Sequence, residues 1–495
     1  MTAAAALRLD APTEGEPEGD ATGRRRLTTV CLLAAAAALL ASTAGIAVRA
    51  TYGAHVAVDE TQYVLTAVSL WEDHDLDISD ELAEERWRDF ADVPPPVQTE
   101  VRADGEQISP HDPLLPLLLA APTGLFGWIG AKVALALLAG CTAALTVWVA
   151  VRRFAVPVGL AGAGTAVLAA TPPLSVYGQQ IYPELPAALA VLTGVAALTA
   201  RTPSRRADAV LVAAVVALPW LGVKYLPVAA MLALAGLVRA HRSGRNRTAV
   251  ATAAVLAAAG AGYLLVHRLV WGGWTVYASG DHFQSAGELS VVGVSPDYAG
   301  RTVRLVGLLV DREFGLVAWQ PAWLLLVPAT AALVRLRHWA LVLPVAVGWA
   351  TATWLALTMH GFWWPGRQVV VVLPVAIVGL LVWLDRTRPL RARRWVLATG
   401  AALGAAGLAT YTVLLVEGWR RGITWVVDFA TVRAPTYRAL RPVLPDYRAD
   451  DVLGAHLIWV LAVLGLACLG WLTAARVSRH RPAPAVSHQE KEIPR

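Results

Sequence analysis

The sequence predicts an all-α polytopic membrane protein of about twelve transmembrane helices, with amphipathic interfacial helices in the first external loop. Three observations carry that fold class. Of 495 residues, 56% are hydrophobic and only 16% are charged. A soluble chain needs about 25% charged residues to coat its surface, so a cytosolic globular enzyme is excluded, and the apolar content excludes disorder for most of the chain. Mean hydropathy is +0.52, and the apolar residues fall into runs of membrane-crossing length. Short arginine clusters punctuate those runs.

The first run, 27–48, follows Arg24, Arg25 and Arg26. It exceeds the ~7–15-residue core of a signal peptide, so it reads as an uncleaved helix. Further runs lie at 131–151, 156–172, 184–200, 207–221, 225–239, 248–269, 318–334, 339–356, 368–384, 395–416 and 454–475. The segment 113–127 is apolar but holds Pro113, Pro116 and Pro122. It reads as a short re-entrant or interfacial helix, because a full crossing there would put Arg152 and Arg153 on the wrong side.

With twelve crossings, the basic clusters at 24–26, 152–153, 201–206, 239–247, 335–337, 386–394 and 476–481 share one face. The positive-inside rule makes that face the cytoplasm. A multi-pass plasma-membrane protein with both termini cytoplasmic follows. Residues 24–480 form the membrane domain, and 1–23 and 481–495 read as disordered polar tails. The net charge of +6 is thus topological and does not mark a nucleic-acid partner. Cys31, Cys141 and Cys468 lie in apolar runs and read as packing residues, with no disulfide framework or zinc site.

The opposite face carries the longer loops, 51–112, 270–317 and 417–453, and most acidic residues outside the basic clusters. Among them are Asp73, Asp80, Glu81, Asp281, Glu288 and Asp428. Trp271, Trp274, Trp319, Trp363, Trp364 and Trp419 read as an aromatic belt at that boundary.

In Val58–Trp71, residues Tyr63, Val64, Ala67, Val68, Leu70 and Trp71 recur at helical spacing. An amphipathic helix lying along the outer interface is expected. Asp59 and Glu60 stand at its amino end, where negative charge is favoured. Two readings stay open there: a helix cap, or a carboxylate that takes the proton of an acceptor hydroxyl. Arg367, in Gly361–Gln368, is one of few cations on the external side at a helix start. Snorkelling and bidentate phosphate binding are both open to it.

Glu184, after Tyr182-Pro183, is a helix-start carboxylate or a site residue. Lys224, beside Tyr225, sits in a very short external turn and is a functional candidate or a snorkelling side chain. Asp311 and Glu313 flank Arg312 in a paired surface turn or in a donor cavity. His111 reads as a loop histidine rather than a metal ligand. No HExxH, CxxC or phosphate-binding glycine loop occurs.

Taken together, these segments resemble the GT-C superfamily of glycosyltransferases, near its protein O-mannosyltransferase and lipid A aminoarabinose transferase branch. The carriers are Asp59-Glu60 with Tyr63 and Leu65–Leu70, Ser109-Pro110-His111 before Leu114–Leu119, Tyr182-Pro183-Glu184, Lys224-Tyr225, Asp311–Leu316, and Gly366-Arg367 before Val369–Pro374. They span about 59–380 in order.

The resemblance implies an external active site that moves a sugar from a polyprenyl-phosphate donor, with inversion. Asp59 would be catalytic with Glu60 beside it, and the two would hold a divalent metal if one is used. His111, Tyr182, Glu184, Lys224, Tyr225, Asp311, Glu313 and Arg367 would contact substrate. The implied partners are the lipid-linked donor, membrane lipids and a glycan, lipid or protein acceptor, with no tightly bound cofactor. No large external carboxy-terminal domain is evident, which leaves acceptor recognition to the loops. Two other classes remain: a transporter or lipid flippase, and an inactive member that assists envelope assembly.

Overall fold

The computed structural model describes residues 18–96, 98–99, 101–279, 296–426 and 429–479. Among these no strand forms, only isolated bridges such as Asp77 with Ile108. Each of the twelve apolar runs contains a helix. The first lies in α1 (Glu18–Ala44), and the 51–112 loop adds α2 (Asp59–Glu72) and α3 (Ser79–Ala83). Then come α4 (Leu114–Phe154), α5 (Val158–Ala169), α6 (Glu184–Leu198), α7 (Arg205–Leu221), α8 (Leu226–Arg242) and α9 (Asn246–Val270). The second half holds α10 (Leu326–Arg335), α11 (Trp339–Ala350), α12 (Leu373–Arg386), α13 (Arg393–Trp419) and α14 (Leu453–Arg479).

Among the described residues, seven helical stretches are long and apolar enough to cross a membrane: Thr22–Ala44, Leu114–Phe154, Val223–Arg242, Asn246–Val270, Arg367–Arg386, Arg393–Trp419 and Leu453–Val477. Four more apolar helices are shorter, from Val158–Ala169 to Trp339–Leu355. Residues 18–23, expected in a tail, are already helical, while 1–17, 480–495, Asp281, Glu288 and Asp428 lie outside the described residues.

Forty-one residues of unbroken helix would reach about 60 Å, twice a bilayer core. α4 is not unbroken, for Gly127 takes φ 61 and ψ −159, a conformation only glycine adopts without strain. The break separates a proline-bearing piece, Leu114–Phe126, from a 27-residue piece that is long enough to span.

Two expectations about the interface are corrected. α2 does not lie along a surface: residues 60–67 are buried all round, packed on α4. Two of its polar side chains are satisfied nearby. Thr66 donates to the Gln62 carbonyl (2.8 Å), and Ser69 donates to Asp75 Oδ1 (2.8 Å). The aromatic belt is also divided. Trp271, Trp319 and Trp364 are core residues, whereas Trp274 and Trp419 are exposed. Trp319 stacks on Tyr437 (4.4 Å), which pins the 417–453 loop to the bundle. The three cysteines are free.

Candidate functional site

Asp59 opens α2, Glu184 opens α6, Lys224 sits in the turn between α7 and α8, and Arg367 begins the short 3-10 turn that leads into α12. Four separate helix ends therefore deliver four ionised groups to one place. Gly366 makes the last delivery possible. Its φ is +81, and a Cβ there would lie 2.8 Å from Leu316, so the tight turn that presents Arg367 requires glycine.

Arg367 is the hub. Its Nη2 donates to Asp59 Oδ2 (3.0 Å), and its Nε donates to Glu184 Oε1 (2.7 Å). Lys224 Nζ donates to the same Glu184 oxygen at 2.6 Å, while Glu184 Oε2 is buried with no partner. The guanidinium lies 4.0 Å from the Tyr182 ring centre and 5.1 Å from that of Trp363. Such aromatic faces favour a cation that has lost water. Two acids and two bases make the cluster neutral overall.

A second chain of donors reaches Asp59 from the 51–112 loop. His111 Nε2 donates to Gln98 Oε1 (3.1 Å), and Gln98 Nε2 donates to Asp59 Oδ1 (3.2 Å). His111 packs on Tyr63 at 4.6 Å. Burial works to raise the Asp59 carboxyl, but Arg367, His111 and Gln98 outweigh it and hold it at about 2. Burial lowers the His111 pKa, with Asp59 acting against it, so the imidazole is neutral at pH 7.

Glu60 does something else. One residue along a helix turns a side chain about 100°. Its Oε1 accepts from the Ile181 N–H (2.7 Å) and its Oε2 from the Ala57 N–H (3.1 Å), deep in the protein. Burial raises its pKa, partly offset by Lys132 and those two amides. Glu60 thus serves two backbone amides outside α2, and neither acid makes a side-chain cap bond to that helix. With Asp59 committed to Arg367 and Gln98, and Glu60 to two backbone amides, the pair offers no shared oxygen face to a metal ion.

Above this cluster opens a cavity of about 1020 Å³. Its polar end is lined by Asp59, Gln98, His111, Lys224, Tyr225 and Arg367. Asp112, Thr275, Tyr277, Thr351, Thr358 and Gln368 add further polar groups, and the rest of the lining is mostly apolar: Val215 and Pro219 from α7, Ala229 and Ala233 from α8, Leu256 and Leu264 from α9, and Ala352 and Leu355 just after α11. One end can hold an anion against two cations, and the rest can hold a chain of hydrocarbon.

Asp311 and Glu313 do not line this cavity. Asp311 Oδ1 accepts from the N–H groups of Glu313 (2.8 Å) and Phe314 (2.5 Å), and its Oδ2 meets His360 Nε2 and the Tyr447 N–H (3.2 Å each). Glu313 pairs with Arg448 (2.9 Å). Both hold loops together, but not as an internally paired surface turn: Asp311 is buried, and Arg312 between them pairs with Asp446 (3.1 Å).

Sequence reasoning missed Gln98 and Asp112. Asp112 Oδ2 accepts from the Val223 N–H (3.1 Å), beside Lys224, while its Oδ1 accepts from Tyr263 (2.9 Å) and meets His267 Nε2 (3.1 Å). It ties the loop, the α7–α8 turn and α9 into one frame. The signal available was His267, an ionisable residue inside an apolar run. Lys132, buried in α4 and donating to the His55 carbonyl (2.7 Å), carries the same signal.

No protein-family model matches the chain, and no curated protein matches it.

Proposed function

We propose that this chain is an integral-membrane glycosyltransferase of the GT-C kind, moving a sugar from a polyprenyl-phosphate donor to a cell-envelope acceptor. In this reading all twelve apolar helices cross the plasma membrane, both termini are cytoplasmic, and the cavity faces outward. The single observation that carries it is the junction of a two-cation, two-acid cluster with a large, mostly apolar cavity. A lipid carrying a phosphate and a sugar has that same division of character.

The donor phosphodiester, with charge −1, competes with Asp59 and Glu184 for Arg367 and Lys224. A carboxylate held at about 2 is a weak base. Once the phosphate draws Arg367 away, Asp59 loses its main depressing partner and its pKa rises towards the ordinary range. It then takes the acceptor's hydroxyl proton as the acceptor oxygen bonds to the anomeric carbon. The bond from that carbon to the phosphate oxygen breaks, and attack opposite the leaving group inverts the centre. The departing polyprenyl phosphate gains one negative charge as Asp59 gains one proton. Total charge in the site is unchanged, which suits an interior where net charge is costly. Arg367 and Lys224 stabilise the charge that builds on phosphate.

The test is transfer of labelled sugar from polyprenyl-phosphate sugars by the purified chain, comparing wild type with Asp59→Asn and Arg367→Ala. Loss of transfer in both supports the reading. Wild-type protein that carries the intact donor across a bilayer without cleaving it would place the chain among flippases instead.

A further inference from the structure

Outside the cavity, three carboxylates converge on one point of the 51–112 loop. Asp73 follows the last turn of α2, and Asp80 and Glu81 lie in the first turn of α3. One oxygen from each lies within 4.8 Å of the other two. Among the described residues no Lys or Arg forms an ion pair with any of them. The nearest arginine in sequence, Arg86, is committed to Glu72 (2.5 Å) and Glu84 (4.0 Å).

Glu81 is the informative member. Asp73 and Asp80 are exposed, as solvated acids usually are, but Glu81 is only 3% exposed. Its Oε2 is buried with no hydrogen-bond partner, and its carboxylate is directed into the cluster. A buried carboxylate beside two further acids is costly unless a proton or a cation completes the set.

We propose that Asp73, Asp80 and Glu81 form a binding site for a divalent cation, most simply Ca²⁺. The donor set is oxygen only, which selects a hard ion over zinc or copper. Ca²⁺ accepts flexible geometry with six to eight oxygens, so waters complete its shell on the exposed side. The ion ties the end of α2 to the start of α3. Since α2 begins at Asp59, it also fixes the far end of the helix that presents that side chain to the cavity. The site is structural and does not depend on the sugar-transfer reading.

The experiment uses the full chain, stripped with EGTA and titrated with CaCl₂ or MgCl₂. Binding is followed by thermal melting and by Tb³⁺ luminescence, with no sugar donor present. Extracellular calcium modules bind with Kd on the order of 10⁻⁴–10⁻³ M. Saturation within that range is expected, with Tm rising by roughly 2 °C or more. Glu81→Gln should abolish the rise while melting no lower than wild type in EGTA, because it removes one of three like charges. Asp73→Asn, at an exposed position, should weaken binding roughly 10-fold or more, the scale of losing one ligand of an ion. A wild-type protein with no saturable response up to about 10 mM Ca²⁺, well above that range, overturns the proposal. So does a response that survives both substitutions.

Discussion

Arg367 Nη2 and Asp59 Oδ2 meet at 3.0 Å although 308 positions separate them in the chain. The partner of the proposed base is therefore the proposed phosphate clamp itself. In the resting protein each occupies the other, and substrate must separate them. This coupling has consequences that differ from those of a base and a clamp acting independently.

Arg367→Ala leaves Asp59 and Glu184 without their main counter-charge. Breaking a buried pair in this way costs about 3–5 kcal/mol. The variant should melt well below wild type in detergent and show no transfer. Arg367→Lys keeps the charge but not the two-armed geometry. It should fold, and its defect should appear in donor KM before kcat.

Asp59→Asn removes the base while keeping the Gln98 contact. A general base contributes roughly 10²–10⁴-fold, so kcat should fall by that factor with the protein still folded. The acid limb gives a sharper check. The free protein holds Asp59 at about 2, so kcat/KM should stay flat well below pH 4. The limb of kcat, which reports the donor complex, should lie at higher pH because phosphate has taken Arg367. Identical limbs in both profiles would speak against the exchange.

The same shift sets a stability window. The folded-state pKa of Asp59 is depressed from 3.8 to about 2, so its contribution is present above 3.8 and is lost as pH falls towards 2. Wild-type Tm should drop across that interval more steeply than that of Asp59→Asn.

Glu60→Ala separates the two adjacent acids by role. It strips acceptors from the Ala57 and Ile181 amides and leaves Lys132 buried without its nearest acid. Each unsatisfied buried group costs about 1–3 kcal/mol, so Tm should fall markedly. Transfer per folded molecule should stay within a few-fold of wild type. A specific loss of kcat in a fully stable Glu60→Ala protein would restore it to the chemistry.

Gly260 and Ala233 line the apolar limb of the cavity, and a Cβ at Gly260 meets nothing within 4 Å. A tryptophan at either position narrows the limb, and Gly260 leaves its Cβ room. Gly260→Trp or Ala233→Trp should raise KM for a long-chain donor by roughly 10-fold or more, the scale of losing one or two well-buried side-chain equivalents. A short-chain, water-soluble analogue should be turned over nearly as before.

Most of this site was legible in the sequence because ionisable groups are scarce in an apolar chain. Asp59, Glu184, Lys224 and Arg367 each stand at a helix end, and each needs a partner that the bundle must supply. Their mutual pairing was not legible, since nothing in local pattern says that residues 59, 184, 224 and 367 share one point. The split between Asp59 and Glu60 was hidden too. An acceptor for buried amides and a base are both acids at a helix start, and only the direction of one turn tells them apart. Gln98 and Asp112 lie in irregular backbone with no period to mark them. The interfacial placement of α2 failed for a related reason. Its polar residues bond to the loop and to distant parts of the bundle, so the helix has no wet side to keep.

α9 forms one wall of the cavity, yet its apolar window is only 6% buried within the chain. Its outer side must be wetted by oil, whether lipid or soap. An amphiphile used to extract the protein therefore sits against the very wall the donor tail would touch. One with a phosphate head competes at both ends of the cavity, and one with a neutral head only along the tail. Kinetic constants obtained in one micelle will not carry over to another until that occupancy is measured.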